Sequence, residues 1–170
     1  MLFNFFFNFF FCAHIPAQLQ CSSRNLLGYM ELQNFNYIKE NQSSLGDGYT
    51  VRCPFGGCNA KIISLASVAP GEMHVRNAPD MVQLNKEGND NNLFYKIDDV
   101  WMFDNIGVSR PSMALREAST GNGEESLSIK VERLLTCSEC DRGPIGFAGF
   151  EANNSKIVYF LSCGGVLYKK

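Results

Sequence analysis

The clearest pattern of apolar and polar positions lies in the last third of the chain. Ser128 to Thr136 alternates Ile129 and Val131 before the doublet Leu134-Leu135, and predicts a strand. Ile145 to Phe150 predicts a second strand and Lys156 to Ser162 a central third, with Asn153-Asn154 as the hairpin turn between them. Val166 to Tyr168 adds a short edge. Upstream, Tyr49 to Cys53 and Ala60 to Ser64 are rich in β-branched residues (Thr50, Val51, Ile62, Ile63) and predict a hairpin. Leu93 to Ile97 and Val100 to Phe103 predict two strands or one bent strand, with Trp101 in the core. The stretches between are rich in turn formers. Pro70 to Asn92 reads as a long connection holding a short strand at Met81 to Leu84, and Ser109 to Ser126 as a surface loop with one helical turn at Met113 to Ala118. The sum is a mainly β domain of about eight short strands.

That domain is expected over residues 49–170. Gln18 to Gly48 is polar, with Leu26, Leu27, Phe35 and Tyr37 irregularly spaced, and predicts a poorly ordered N-terminal extension over residues 1–48. Met1 to Phe11 is a Phe run interrupted by Asn4 and Asn8. It is short of the roughly 20 apolar residues that span a bilayer. No Lys or Arg precedes it, as a signal peptide would require. A low-complexity tail, or a start that belongs at Met30, is the expectation, with a signal peptide or a membrane-surface anchor as alternatives.

Charge narrows the partners. The 170 residues have a net charge of −2, and the basic residues are scattered, with one run at Lys169-Lys170. Nucleic-acid binding draws on clustered Lys and Arg, so it is not expected here.

The candidate chemistry lies in two turns. Cys137-Ser138-Glu139-Cys140 is followed by Gly143, Pro144 and Gly146, and Cys53-Pro54-Phe55-Gly56-Gly57-Cys58 is the other close pair. Glycine and proline let each backbone curl two sulfurs onto one point. Four thiols in two turn-borne pairs predict one closed, structural zinc site of Cys53, Cys58, Cys137 and Cys140. A disulfide framework fits poorly, because the seven cysteines are sparse and odd in number. A redox Cys-x-x-Cys opens a helix, which Gly143-Pro144 forbids. His14 and His74, the two histidines, lie near neither pair, so a catalytic zinc is not expected.

A second motif, Trp101-Met102-Phe103-Asp104-Asn105-Ile106-Gly107-Val108, reads on physics alone as a strand closing in an Asx turn. Taken in order with the two cysteine turns and Cys140-Asp141-Arg142-Gly143-Pro144-Ile145-Gly146, it resembles the Mss/Dss family of Rab-interacting guanine nucleotide exchange factors or chaperones (RABIF-like). The resemblance covers about residues 50 to 168. It implies the β-tent, a fold of twisted antiparallel sheets, with one structural zinc on the four cysteines named above. It also implies a cytosolic protein that associates transiently with Rab-bearing membranes. Its partner would be an exocytic Rab GTPase, preferentially nucleotide-free, and it would itself be monomeric, without a membrane span. Glu139 stands where members often have Asp, and Phe147 where some have Trp.

For such a partner, Asp104, Glu139 and Asp141 are the expected charged contacts. Ile106, Val108, Ile145 and Phe147 are the expected apolar ones, with Asn105, Gly107 and Pro144 completing the two motifs. No bond-making residue is required. Two other functions are weighed against this one. A methionine sulfoxide reductase would use a spare cysteine, of which Cys163, in Leu161-Ser162-Cys163-Gly164-Gly165, has no activating neighbour in sequence. A zinc-ribbon nucleic-acid binder would need the basic patch that the chain lacks.

Overall fold

The computed structural model describes residues 32–41, 48–68, 71–84, 92–121, 126–152 and 154–170. It is mainly β. Among the described residues one short α-helix, α1 (Phe35–Asn41), precedes β1 (Thr50–Arg52), β2 (Lys61–Ser64), β3 (Met73–Arg76), β4 (Leu93–Ile97) and β5 (Ile106–Val108). There follow β6 (Ala118–Thr120), β7 (Leu127–Cys137), β8 (Gly146–Glu151), β9 (Ile157–Ser162) and β10 (Leu167–Lys169).

The strands form two antiparallel sheets. The smaller is ordered β10-β1-β2; the larger is ordered β5-β7-β6-β3-β4-β9-β8, with β8 paired back onto β7. That last pairing makes a circuit of six strands, β7-β6-β3-β4-β9-β8, and removes the edges that an open sheet would expose. The long strand β7 organises it. Along one side, Leu127 to Ile129 pair with β6 and Leu135 to Cys137 with β5, while β8 runs along the other side.

Two hydrophobic cores lie on opposite faces of this circuit. Phe94, Phe147 and Phe160 meet on one face, with Phe147 stacked on Phe160 at 4.8 Å and edge-on to Phe94 at 5.3 Å. Leu93, Tyr95, Ile97, Tyr159 and Leu161 face the other way, onto the small sheet and α1. Strands buried on both faces read as continuous apolar runs, which is why Ile157 to Leu161 shows no polar alternation. The doublet Leu134-Leu135 also has its explanation. The register slips between Val131 and Arg133, leaving Glu132 as the extra residue of a bulge. Before the bulge Ile129 and Val131 face the Phe147 core; beyond it Leu134 does so, and Leu135 and Cys137 turn to the other. A one-residue shift exchanges the faces of a strand, so the bulge is what aims Cys137 towards the small sheet.

Several expectations are corrected. Ordered structure does not wait until Tyr49. Asn34 Oδ1 accepts a hydrogen bond from Tyr37 N at 2.9 Å and caps α1, which buries Phe35 and Ile38 against the core. Gln33 also pairs with Tyr168 through two backbone hydrogen bonds. The rest of the 1–48 segment is outside the described residues apart from Leu32 and Gly48. The short strand in the long connection is β3, not Met81 to Leu84, and the loop after Ser109 contributes β6, whose Ala118 and Thr120 are buried. Val100 to Met102 is a 3-10 turn rather than a strand, capped by Asp99 accepting from Trp101 N at 3.1 Å. With three residues per turn, Val100 and Phe103 fall on the core side and Trp101 points out, 88% exposed. Asn153 lies outside the described residues, so only the Asn154 half of the expected turn is seen.

Candidate metal centre and its surroundings

The first cysteine turn joins β1 to β2. Cys53 N donates to Ala60 O at 2.9 Å and Cys58 N to Phe55 O at 3.1 Å, and the backbone escapes through the left-handed residues Gly57 and Asn59. The second turn leaves β7. Cys137 N donates to Arg142 O at 3.1 Å and Asp141 N to Cys137 O at 2.9 Å, with Asp141 itself left-handed at φ 54°. Only glycine enters that region without strain; Asn and Asp are the side chains that tolerate it. Asp141 and Asn59 therefore have conformational reasons to be where they are.

The turns meet, and the four sulfurs all lie within 4.8 Å of one another. Cys53 Sγ is 3.7 Å from Cys140 Sγ, and Cys58 Sγ is 3.7 Å from Cys137 Sγ. A tetrahedral metal with bonds near 2.3 Å sets its sulfurs about 3.8 Å apart, so the donor set and its spacing fit a tetrathiolate metal site. The four thiols differ in their electrostatics. Burial pushes the Cys53 thiol well up, against the Phe55 backbone N–H. Burial likewise raises Cys137, although the backbone N–H groups of Glu139 and Cys140 favour its thiolate. At Cys140 burial is outweighed by the Arg142 backbone and side chain and by the neighbouring thiols, bringing it to about 7. Buried sulfurs such as Cys53 and Cys137 hold their protons without a cation; a dication reverses that preference.

One side chain joins the two turns. The Arg142 guanidinium lies over the Phe55 ring, 4.6 Å from its centre, and its Nη2 donates to Gly56 O at 3.3 Å. Neither Arg142 nor Phe55 is marked by its local sequence, because the pairing arises only when the turns are brought together.

The second motif abuts the same centre. In β5, Ile106 pairs with Cys137, Gly107 with Thr136 and Val108 with Leu135. Gly107 is there for packing: a Cβ would come within 2.6 Å of Thr136 Oγ1. Asp104 N donates to Ile62 O at 2.8 Å, Asn105 Nδ2 to Lys61 O at 2.8 Å, and the Asp104 carboxylate pairs with Lys61 at 3.1 Å. The Asp104 turn is thus pinned to both cysteine hairpins. Asp104, Glu139 and Asp141 are exposed, as is Val108, while Asn105, Ile106, Gly107 and Pro144 are half-buried. Ile145 and Phe147 are fully buried, each in one of the cores, so the expectation of surface contact does not suit them. Trp101, expected inside, stands on the surface three residues from Asp104. Cys163 is fully buried at the end of β9, its carbonyl accepting from the Tyr168 hydroxyl at 3.0 Å.

This arrangement coincides with what comparison with known proteins finds. The model of the Mss4 protein family matches residues 49–166. The chain belongs to that family. Protein DSS4 of Saccharomyces cerevisiae is 32% identical over 133 residues, covering 65% of this chain and 90% of the yeast protein.

Proposed function

We propose that this protein is a partner of Rab-type GTPases that prefers the nucleotide-free form, acting as an exchange factor or holdase in vesicle-mediated transport and exocytosis. The observation that supports this reading best is the junction of the two motifs. The β5 register runs the Asp104 turn alongside the second cysteine turn, so exposed Asp104 and Glu139 stand two positions beyond the Ile106–Cys137 pair, with exposed Trp101 three residues before Asp104 in the chain. Carboxylates beside an exposed aromatic suit a partner that offers a basic residue and an apolar switch segment.

The physics asks for no chemistry. A GTPase holds its nucleotide through a phosphate-loop lysine and Mg²⁺. A protein that binds the empty form better than the loaded form must weaken nucleotide binding by the same factor. Asp104 or Glu139 would pair with the vacated lysine, and Asp141 shares the second cysteine turn, the knuckle, with Glu139. Trp101, Val108 and the half-buried Asn105, Ile106, Gly107 and Pro144 would form the surrounding contact. The metal would be a single structural zinc held by Cys53, Cys58, Cys137 and Cys140, and its role is to fix the knuckle so that Glu139 has little conformational entropy left to lose on binding. The protein would work as a monomer in the cytosol, meeting membranes through its GTPase. Among the described residues no helix is long and apolar enough to cross a membrane.

The reductase alternative gains nothing, since Cys163 is enclosed in the core. The deciding experiment is a pull-down with nucleotide-free and GTP-loaded Rabs. Preferential retention of the empty form is expected; equal retention, or none, would overturn the proposal.

A further inference from the structure

We infer that Arg142 is a clasp that holds the two cysteine turns in register and sets how tightly the centre keeps its metal; this rests on the tetrathiolate zinc reading above. The four sulfurs come from hairpins far apart in sequence, and every cradle of this type must bring them together against chain entropy. Backbone hydrogen bonds shape each turn internally, Cys53 to Ala60 in one and Cys137 to Arg142 in the other, but these bonds do not cross between the turns. Arg142 does cross. Its guanidinium covers the Phe55 ring at 4.6 Å and donates to Gly56 O at 3.3 Å, so one side chain from the second turn engages a side chain and a carbonyl of the first. Phe55 is in turn packed against the larger core, which makes it a fixed platform. The contact suits the metal-loaded state in charge as well. Four thiolates around a dication leave a net negative centre, and Arg142, two residues from Cys140, supplies a guanidinium that stays protonated and charged at any working pH. Lysine would keep the charge and lose the fork; methionine would keep much of the stem and lose both. Residues that support metal ligands from outside the coordination shell affect affinity by about 10- to 100-fold when removed.

The test uses the full chain loaded with zinc, and separately with cobalt as a spectroscopic probe. Zinc release into excess chelator is timed for the parent protein, Arg142→Met, Arg142→Lys, Phe55→Leu and the Arg142→Met/Phe55→Leu pair. Arg142→Met should release zinc faster by on the order of tenfold. Arg142→Lys should recover part of the loss, and Phe55→Leu should add little once Arg142 is gone. The cobalt spectrum of each variant should keep the bands of a tetrahedral four-thiolate site, which separates a loosened cradle from a changed ligand set. Release from Arg142→Met at the parental rate would overturn the clasp, as would additive effects of the two substitutions. Should Arg142→Met fail to fold, the Arg142→Lys and Phe55→Leu rates decide alone, and parental rates in both overturn it. A parent protein whose cobalt spectrum lacks four-thiolate character would instead sink the metal reading itself.

Discussion

Among single residues, exposure and backbone conformation divide the candidate surface into groups that substitution can tell apart. Glu139 is exposed on the knuckle, so Glu139→Ala should leave zinc content and thermal stability near the parental values. Binding to nucleotide-free Rab should fall by on the order of tenfold if the carboxylate meets a desolvated lysine; affinity unchanged in a titration would remove Glu139 from the interface. Asp104 is a more mixed case, because its carboxylate also pairs with Lys61 and its backbone with Ile62. Asp141 has a conformational task. At φ 54° glycine is the comfortable replacement and a β-branched residue is not. Asp141→Gly should therefore melt close to the parent protein, and Asp141→Val should melt several degrees lower with a loosened metal site; thermal denaturation with metal analysis compares them. The four cysteines were legible because their spacing alone implies convergence. Arg142 and Phe55 were not, since nothing local pairs residues that meet only across the folded turns.

At the scale of elements, the sequence pattern worked where strands are half-buried or flanked by clear turns and failed where tertiary contact decides. β7, β8 and β9 were readable from their apolar runs, and the β1–β2 hairpin from its β-branched residues. Trp101 departs from the expected strand alternation because Asp99 starts a 3-10 turn there, and three residues per turn present a different side chain to solvent. β6 was missed because Ala118 and Thr120 are too few and too small to give a periodic signal. The helix α1 was missed because seven residues with two core contacts do not make a period, although Asn34 is a recognisable cap. The helix bears on truncation. Phe35 and Ile38 are 2% and 0% exposed, and Phe35 leans on Tyr168 with ring centres 6.0 Å apart. A chain begun at Leu45 loses both and should be less stable than one begun at Leu32. Phe35→Ala in the full chain should cost about 3–5 kcal/mol of unfolding free energy in denaturant titrations. Equal stability of the Leu45 and Leu32 forms would mean that this helix adds nothing to the fold.

For the whole molecule, the two cores make different demands on the proposed metal. The core around Phe94, Phe147 and Phe160 is built from the strand circuit and contains none of the four cysteines. The other core includes Cys53 and Cys137, with Cys58 and Cys140 packed against it, and it joins the small sheet and α1 to the circuit. Stripping the proposed metal would leave four clustered sulfurs, of which Cys53 and Cys137 are buried and disfavour charge, and would remove one link between the β1–β2 hairpin and β7. The Asp104 turn depends on both sides of that link, through Lys61 and Ile62 in β2 and through Cys137 in β7. Regions of one domain open with separate free energies when their contacts differ in this way. Hydrogen exchange after chelation should therefore show lost protection at 53–62, 104–108 and 137–142, while β3, β4 and the Val158–Phe160 part of β9 stay protected. Affinity for nucleotide-free Rab should fall in step with the first set, because the proposed surface is assembled from those segments. Uniform loss of protection would mean that the circuit cannot stand without the metal. Unchanged protection at 104–108 would mean that the turn is ordered by β2 and β7 regardless of it, and the role of the metal in presenting Glu139 would have to be abandoned.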